Sequence, residues 1–200
     1  MRIVVTGFDP FGGETVNPAY EAVKLLPDRV GDKELIKIKI PTAYRGGVKA
    51  LEEAIERYQP DAVLSIGQAG GTACIRVERI AVNLAEARIP DNEGYQPVDK
   101  FLREDGENAY FSTLPVKEMQ QAIVQVGYPS VLSYSAGTYV CNAVMYNALY
   151  LAQKRCPSMK AGFIHVPYTP QQVIGKSADT PSMPVTAIAE CLRAAIEAIS

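Results

Sequence analysis

The sequence predicts an α/β fold: a single-domain, three-layer α/β/α sandwich with a twisted, largely parallel central sheet. Two observations lead to this class. Short apolar runs rich in β-branched residues alternate along the chain with longer segments in which apolar residues recur at helical spacing. In addition, 200 residues with 48% hydrophobic and 21% charged side chains suit one well-buried domain spanning residues 1–200.

Strands are predicted where apolar residues run together, or alternate with charged ones, before turn residues. The runs RIVVTG and AVLSIG are typical of buried strands, whereas ELIKIKI alternates and favours a half-exposed strand. The predicted strands are residues 2–7, 34–40, 62–67, 74–83, 130–135 and 161–166.

Helices are predicted where apolar residues recur every three or four positions. The first of these stops at Pro27 and the second ends before Pro60, because proline cannot continue a helix. Residues 92–113 follow no period, so we expect a long surface excursion or a hairpin there. The predicted helices are residues 17–26, 44–58, 116–126, 141–153 and 185–199.

Charge and targeting signals exclude some classes of function. A formal net charge of −2 at pH 7, without a block of one sign, gives no reason to expect binding to nucleic acid or to an anionic membrane. The apolar run after Arg2 is far too short for the core of a signal peptide, and no segment approaches the length of a membrane span. A cytoplasmic location is therefore expected.

The four cysteines, Cys74, Cys141, Cys156 and Cys191, form no CxxC pair, and a single histidine cannot complete a usual zinc set with them. In a reducing compartment each is expected to be a small buried hydrophobic residue unless its placement argues otherwise. No metal or organic cofactor is expected.

Cys141 alone has a placement that argues for chemistry. It follows the strand at 130–135 and the small-residue turn Ala136-Gly137-Thr138, which leaves the approach to the sulfur open, and it begins a helical stretch. A helix N-terminus stabilises negative charge, which favours a thiolate, and its free backbone N–H groups can donate to an oxyanion. The carboxyl edge of the sheet is also where α/β proteins usually place their sites. Taken alone, a buried helical cysteine is the alternative.

His165, the only histidine, lies near the end of the strand at 161–166. A lone histidine on an apolar strand is more often structural, but its pairing with Cys141 is a stronger case because the two belong to a strand–turn–helix–strand unit. Neighbouring parallel strands would bring both residues to one sheet edge. A general base within reach of a thiol is what nucleophilic catalysis needs.

A third group should orient the imidazole, and the sequence offers many acids. Glu78 is preferred because it lies in an otherwise apolar, strand-like run, CIRVERIAVN, where a carboxylate needs a partner. The alternative is a salt bridge with Arg76 or Arg79 on a solvent-exposed face, which the residues alone would favour.

Two loops that contain glycine follow predicted strands. TGFDPFGG places Phe8 and Phe11 on either side of a rigid Asp9-Pro10 turn, and IGQAGG carries Gln68 at the same edge. The first loop lacks the GxxxxGK[ST] and GxGxxG spacings, so nucleotide binding is not favoured.

Four blocks of sequence, GFDPFGG, VERIAVN with ARIPDNEG, SAGTYVCN and GFIHVPY, together span essentially the whole chain. In these blocks and their order the chain resembles the type I pyroglutamyl peptidases, also called pyrrolidone-carboxylate peptidases, a family of cytosolic cysteine exopeptidases. The resemblance implies removal of an N-terminal pyroglutamyl residue from peptides, without a cofactor. It also suggests a homo-oligomer, commonly a tetramer, to which residues 92–113 could contribute an interface.

By motif, the family's catalytic Cys, His and Glu fall on Cys141 in SAGTYVCN, His165 in GFIHVPY and Glu78 in VERIAVN. The resemblance thus selects Glu78 among the acids. It implies thiolate attack by Cys141 on the pyroglutamyl carbonyl, protonation of the leaving amine by His165, and hydrolysis of the thioester by water. Glu78 would hold the imidazole. The backbone N–H of Cys141, with one from the Gln68 turn, would form the oxyanion hole.

Pyroglutamate is a small neutral lactam, so its pocket needs apolar walls and one or two groups that bond the lactam N–H and C=O. Phe8 and Phe11 would supply walls, and Asn17 and Gln68 would bond the lactam. A requirement for both hydrogen bonds would reject proline, which has no ring carbonyl. The family pattern adds a cation near the scissile carbonyl, Arg88, and further candidates for the pocket, Thr42, Ile89, Tyr139 and Val140. Family members often carry Phe at the position of Tyr139, which therefore adds a hydroxyl.

Two other functions stay open at this point. One is another Cys/His-dependent amidase that acts on small amides, and the other is a non-catalytic α/β module that binds a nucleoside or phosphate through its glycine loops. The combination of the aromatic turn, the Gln68 turn and the Cys/His edge disfavours the binding module. Iodoacetamide would abolish the activity of a thiol peptidase and leave a binding module functional.

Overall fold

Strands and helices alternate along the chain. The computed structural model describes residues 1–200, the whole chain. Its strands are β1 (Arg2–Phe8), β2 (Arg29–Val30), β3 (Lys33–Ile40), β4 (Ala62–Gln68), β5 (Ile75–Glu78), β6 (Ile80–Val82), β7 (Ala109–Phe111), β8 (Ser130–Ser133) and β9 (Lys160–Val166). Its helices are α1 (Pro18–Leu25), α2 (Tyr44–Tyr58), α3 (Val116–Gln125), α4 (Val140–Lys154), α5 (Pro170–Val173) and α6 (Val185–Glu197).

Seven strands form one central sheet in the order β2-β3-β1-β4-β9-β5-β8, and β6 pairs with β7 in a separate two-stranded sheet. β3, β1, β4 and β9 run parallel to one another, which confirms the predicted, largely parallel sheet. β1, β4 and β9 are buried over almost their whole length because helices cover both faces, and this is why they read as continuous apolar runs. β3 is half-exposed, as its alternation predicts, because only the two-residue β2 lies beyond it.

The two strands that precede Cys141 and contain His165, β8 and β9, are not parallel neighbours, so this prediction is wrong. β5 lies between them, antiparallel to β9 and parallel to β8. β8 therefore ends at the level of Glu78 and Phe163, away from the sheet edge where β9 ends. Residues 134–139 connect the end of β8 to α4. Strand order depends on pairings between distant segments, which a local pattern does not specify.

The predicted strand at 74–83 consists of two strands in different sheets. β5 joins the central sheet, and after Arg79 the chain enters β6, whose partner β7 lies near the end of the 92–113 excursion. The rest of the excursion is irregular, with one isolated antiparallel bridge between Ala85 and Lys100 near its start. β2 and α5 are too short to show a period in the sequence, and the prediction omits both.

Two apolar cores lie on opposite faces of the central sheet. α1, α3 and α6 cover one face and contribute to a cluster of 28 buried residues, whereas α2 and α4 cover the other face and contribute to a cluster of 26. α4 is buried around nearly its whole circumference because α2, the small sheet and the central sheet surround it. Its N-terminus, and with it Cys141, therefore lies in the interior near the sheet edge. None of the six helices combines the length and the hydropathy that a bilayer crossing requires.

Candidate active site

A cavity of about 250 Å³ opens at the edge where the parallel strands end. It contains all three predicted catalytic residues and most of the predicted substrate-binding residues. The residues that line it are Phe8, Phe11, Asn17, Thr42, Gln68, Ala69, Arg76, Glu78, Ser135, Ala136, Gly137, Tyr139, Cys141 and His165.

Four parallel strands deliver side chains to this cavity. Phe8 is the last residue of β1, Gln68 is the last residue of β4, and His165 is next to last in β9. Thr42 follows the end of β3 after Pro41. Carboxyl ends of parallel strands meet at one edge of a sheet, which is why residues from four distant segments share the cavity.

Cys141 lies at the start of a helix, as predicted, but as the second residue of α4 because the helix begins one residue earlier, at Val140; its side chain is half-buried. The backbone N–H groups of the first helical turn, that of Cys141 among them, have no partner within the helix. Gly67 of β4 makes room for the sulfur: a β-carbon at this position would lie 2.8 Å from Cys141 Sγ and 2.7 Å from Phe163 Cζ. A glycine inside a strand often marks such a close approach.

Glu78 and His165 form a buried hydrogen-bonded pair. Glu78 Oε1 lies 2.8 Å from His165 Nδ1, and the two residues are 0% and 7% exposed. They sit on the antiparallel pair β5–β9, where Glu78 is opposite Phe163 and reaches diagonally to the next residue on the same face. The alternative places Glu78 on a solvent-exposed face, and this part is wrong because the side chain is fully buried; an ion pair with Arg76 is present as well, at 3.9 Å.

The pKa of His165 responds to burial and to two neighbouring groups in opposite directions. Burial of the ring lowers this pKa, whereas the negative charge of the nearby Cys141 sulfur raises it. The hydrogen bond and the charge of Glu78 raise it further, and the resulting pKa is about 9, above the ordinary 6.5. A pKa above the ordinary value means that the site favours the protonated imidazole, the form that can donate a proton.

Arg76 lines the cavity, although the sequence predicts no part for it there. It is the cross-strand partner of His165; its Nη2 donates to Ser133 Oγ at 2.9 Å, and its Nε lies 3.9 Å from Glu78 Oε1. The sequence position of Arg76 indicates this placement, because residues two apart on a strand share a face and Glu78, two residues later, lines the cavity.

Asn142, the residue after Cys141, fixes the start of α4. Its side chain is fully buried, accepts a hydrogen bond from the Val82 N–H at 2.9 Å, and donates to the carbonyl oxygens of Val82 and Leu84 at 2.9 and 3.0 Å. These hydrogen bonds attach the start of α4, which carries the thiol, to the end of β6. The VERIAVN and SAGTYVCN segments are therefore bonded to each other beside Cys141.

The aromatic turn after β1 is held by Asn92 of the IPDNEG segment and by the backbone of Thr42. Asp9 Oδ1 accepts from the Thr42 N–H at 2.6 Å and from Asn92 Nδ2 at 3.1 Å, and Asn92 Nδ2 also donates to the Pro10 carbonyl at 2.8 Å. Asn17 caps α1 through the Ala19 N–H, at 3.1 Å from its Oδ1. The acidic turn thus supports the cavity wall and does not itself line the cavity.

Three predicted substrate-binding residues are not among those that line the cavity. Val140 is fully buried in the helix beside Cys141, whereas Arg88 and Ile89 are exposed on the loop after β6. Tyr139 does line it, and its hydroxyl donates to the Pro90 carbonyl at 3.1 Å, so this added hydroxyl is bonded to the loop. Nowhere in the chain do three or more His, Cys, Asp or Glu side chains form a group that could hold a metal ion.

Comparisons with known proteins agree on one family. The family model described as pyroglutamyl peptidase matches residues 1–200. The pyrrolidone-carboxylate peptidase of Clostridium perfringens is 52% identical over 199 residues, covering 100% of this chain and 93% of the relative. Pyrrolidone-carboxylate peptidase 1 of Streptococcus pneumoniae is 54% identical over 199 residues, covering 100% of this chain and 92% of the relative.

Solved structures give the same result at the level of the fold. The crystal structure of pyroglutamyl peptidase I from Bacillus amyloliquefaciens matches with a TM-score of 0.95 and 43% identity, over 99% of this chain and 96% of that one. The pyrrolidone carboxyl peptidase of Thermococcus litoralis matches with a TM-score of 0.96 and 39% identity, over 99% and 92%. The chain belongs to the pyroglutamyl peptidase family.

Proposed function

We propose that the chain hydrolyses the amide bond after an N-terminal pyroglutamyl residue of peptides, with Cys141 as nucleophile, His165 as acid and base, and Glu78 as the residue that orients the imidazole. The observation that carries these roles is that Cys141, His165 and Glu78 line one cavity, in which the imidazole is hydrogen-bonded to the buried carboxylate. Nucleophilic catalysis requires these three groups in this order.

The reaction follows from the protonation states in the site. The Cys141 thiolate attacks the pyroglutamyl carbonyl, a carbon–sulfur bond forms, and His165 gives its proton to the nitrogen that leaves as the new N-terminus. Neutral His165 then takes a proton from water, whose oxygen attacks the thioester. Pyroglutamate leaves with that oxygen, and the Cys141 thiolate and protonated His165 are restored.

First-turn amides of α4 are the best candidates for the oxyanion hole. The Cys141 N–H lies in this turn, next to the sulfur that attacks. The turn after β4 is the second candidate, but its Ala69 N–H already donates to the Val166 carbonyl at 2.9 Å. The Ala69 amide is therefore not free to donate to a substrate, and the first-turn amides of α4 are the stronger candidates for the oxyanion hole.

The shape and chemistry of the cavity support a lactam as the acyl group. Phe8, Phe11 and Tyr139 supply aromatic walls, while Asn17 and Gln68 supply carboxamides that can bond a ring N–H and a ring C=O. A proline ring would leave the carboxamide that faces the absent carbonyl without a partner, which such a site penalises strongly. A glutamyl group would bring a side-chain carboxylate and a free ammonium group, and both would lose water in a pocket of aromatic and carboxamide side chains.

The experiment is hydrolysis of matched aminocoumarin amides. We expect release of the fluorophore from the pyroglutamyl amide, and far slower release from the prolyl and glutamyl amides. Cys141→Ala should abolish the activity, whereas Cys156→Ser, at a half-buried cysteine outside the cavity, should retain it. Failure on the pyroglutamyl amide, or equal rates on all three, would contradict the substrate; full activity of Cys141→Ala would contradict the mechanism.

We also propose that the chain forms a homo-oligomer, with a tetramer as the state that the family resemblance suggests. Support comes from large apolar side chains on the 92–113 excursion, where Val98, Phe101 and Phe111 are 65%, 64% and 61% exposed. Light scattering coupled to size exclusion tests the proposal, and a monomer at all concentrations would contradict it. The cytoplasmic location stays a prediction from the sequence.

A further inference from the structure

Gln172 lies outside the cavity but contacts one of its polar residues. Its side chain on α5 is 8% exposed and makes hydrogen bonds at both ends of the carboxamide. Gln172 Oε1 accepts from the Thr169 N–H at 3.0 Å, while Gln172 Nε2 donates to Gln68 Oε1 at 2.8 Å and to the Val16 carbonyl at 3.3 Å.

These contacts determine which end of each carboxamide is which. A backbone N–H can only donate, so the atom of Gln172 that faces Thr169 must be its oxygen. The other end of Gln172 is then the NH₂ group, and a backbone carbonyl that can only accept agrees with this assignment at Val16. The atom of Gln68 that meets this NH₂ group must be an acceptor, which is its oxygen.

The orientation of Gln68 follows from that of Gln172. With Gln68 Oε1 held by Gln172, the Nε2 group of Gln68 is the end left to serve the cavity that Gln68 lines. We propose that Gln172 is a positioning residue that makes Gln68 a hydrogen-bond donor toward the ring carbonyl of the pyroglutamyl group. This inference rests on the function proposed above and names the device by which the site reads the lactam carbonyl.

A purely structural role for Gln172 is the competing explanation. Thr169 and Gln172 form a capping box at the start of α5, in which a Gln or Glu at the third helical position bonds the cap residue. Glu serves this box as well as Gln does, but it cannot donate to Gln68. Gln172→Glu therefore separates the two roles: it keeps the cap and requires the Gln68 carboxamide to turn its NH₂ group toward residue 172, leaving its oxygen to face the cavity.

The test compares Gln172→Glu with Gln171→Glu, which adds the same charge at the exposed neighbouring position on α5. We expect kcat/KM for the pyroglutamyl amide to fall about 10- to 100-fold in Gln172→Glu, the cost of losing one hydrogen bond and opposing two acceptors. Gln171→Glu should match the wild type. The rate of Cys141 alkylation by iodoacetamide should stay at the wild-type value in both, because the nucleophile has not changed. The melting temperature of Gln172→Glu should fall, because the variant buries a charge and loses the donor to the Val16 carbonyl, so kcat/KM is measured well below that temperature.

A double-mutant cycle provides the decisive readout. In a Gln68→Ala background, Gln172→Glu should cause no further loss of kcat/KM, because the residue through which it acts is gone. Independent losses that multiply, wild-type kcat/KM in Gln172→Glu, or a fall in the alkylation rate as large as the fall in kcat/KM would overturn the inference. Absence of wild-type activity on the pyroglutamyl amide would instead contradict the proposed function, so the two failures are distinguishable.

Discussion

Glu78 and His165 meet diagonally across the only antiparallel contact that β9 makes in the central sheet, with Glu78 Oε1 at 2.8 Å from His165 Nδ1. The parallel strands bring cavity-lining residues to one edge of the sheet, whereas this antiparallel pair places the Glu78 carboxylate beside the His165 imidazole. Because Glu78 is fully buried, its charge acts on the ring with little screening by water. The antiparallel direction of β5 is therefore a feature of the candidate site as well as of the fold.

The Glu78 carboxylate should set both the activity and the proton affinity of His165. Glu78→Gln keeps the shape of the side chain but removes its charge, so we expect kcat to fall by about 100-fold or more. The alkaline limb of the kcat/KM profile should also move to lower pH, because Glu78 contributes to the raised pKa of His165. Glu118→Gln, at an exposed position on α3, is the matched control. An unchanged limb would point to another orienting group.

The pH profile of the wild type should show its alkaline limb near the pKa of His165. In the proposed mechanism the leaving amine takes its proton from charged His165, so kcat/KM should decline as the pH rises through about 9, where the ring loses its proton. Tyr139 does not explain such a limb, because burial, then the charges of Asp91 and Cys141, raise its pKa above the ordinary 10. Stopped-flow or steady-state assays in buffers of constant ionic strength measure the limb, and a limb near 6.5 would contradict the assignment.

Removing Arg76 should move the same limb in the opposite direction. Its guanidinium lies beside Glu78 and across the strand from His165, so it disfavours a second positive charge on the ring. In Arg76→Gln we expect the alkaline limb to move to higher pH by less than about one unit, because the half-exposed side chain is partly screened. Arg79→Gln is the control, since Arg79 donates to the Ser112 carbonyl and does not line the cavity. A shift toward lower pH would show that Arg76 does not act through its charge.

Much of the site could be predicted because it consists of residues at strand ends and at one helix start. Apolar runs locate β1, β4 and β9, and turn residues after them locate Phe8, Gln68 and His165, so a parallel sheet is enough to bring these residues together. Cys141 follows the same logic at the start of α4. These are local signals, and each is read from fewer than about ten residues.

The remainder depends on contacts that no local pattern encodes. The insertion of β5 between β9 and β8 is a pairing between distant segments, and it alone decides that Arg76 and Glu78 share a face with His165. Gln172 reaches Gln68 from an element of four residues, which is too short to show a period. The resemblance to the family's motif selects Glu78 without knowledge of the strand order, because a motif identifies the residue and not the strand pairing that places it beside His165.

Gly67 should be required for the position of the thiol. Its β4 backbone is not in the left-handed region, so alanine is tolerated by the backbone, and the effect of Gly67→Ala is the contact of its methyl group with Cys141 Sγ and Phe163. We expect the folded variant to lose about 100-fold in kcat/KM, because a displacement of about 1 Å at a reacting atom has this effect. Crowding should also lower the free energy of unfolding by about 1–3 kcal/mol.

Gly162→Ala is the control that separates the two effects. A β-carbon at Gly162 of β9 would lie 2.6 Å from Ser112 Oγ and 2.7 Å from Leu114 Cδ1, a crowding of similar severity among residues that do not line the cavity. This variant should lose a comparable amount of stability but keep its kcat/KM when assayed well below its melting temperature. Urea unfolding and active-site titration with iodoacetamide give stability and thiol reactivity for both variants. Equal losses of kcat/KM in the two would mean that crowding of the sheet, and not displacement of Cys141, limits the activity.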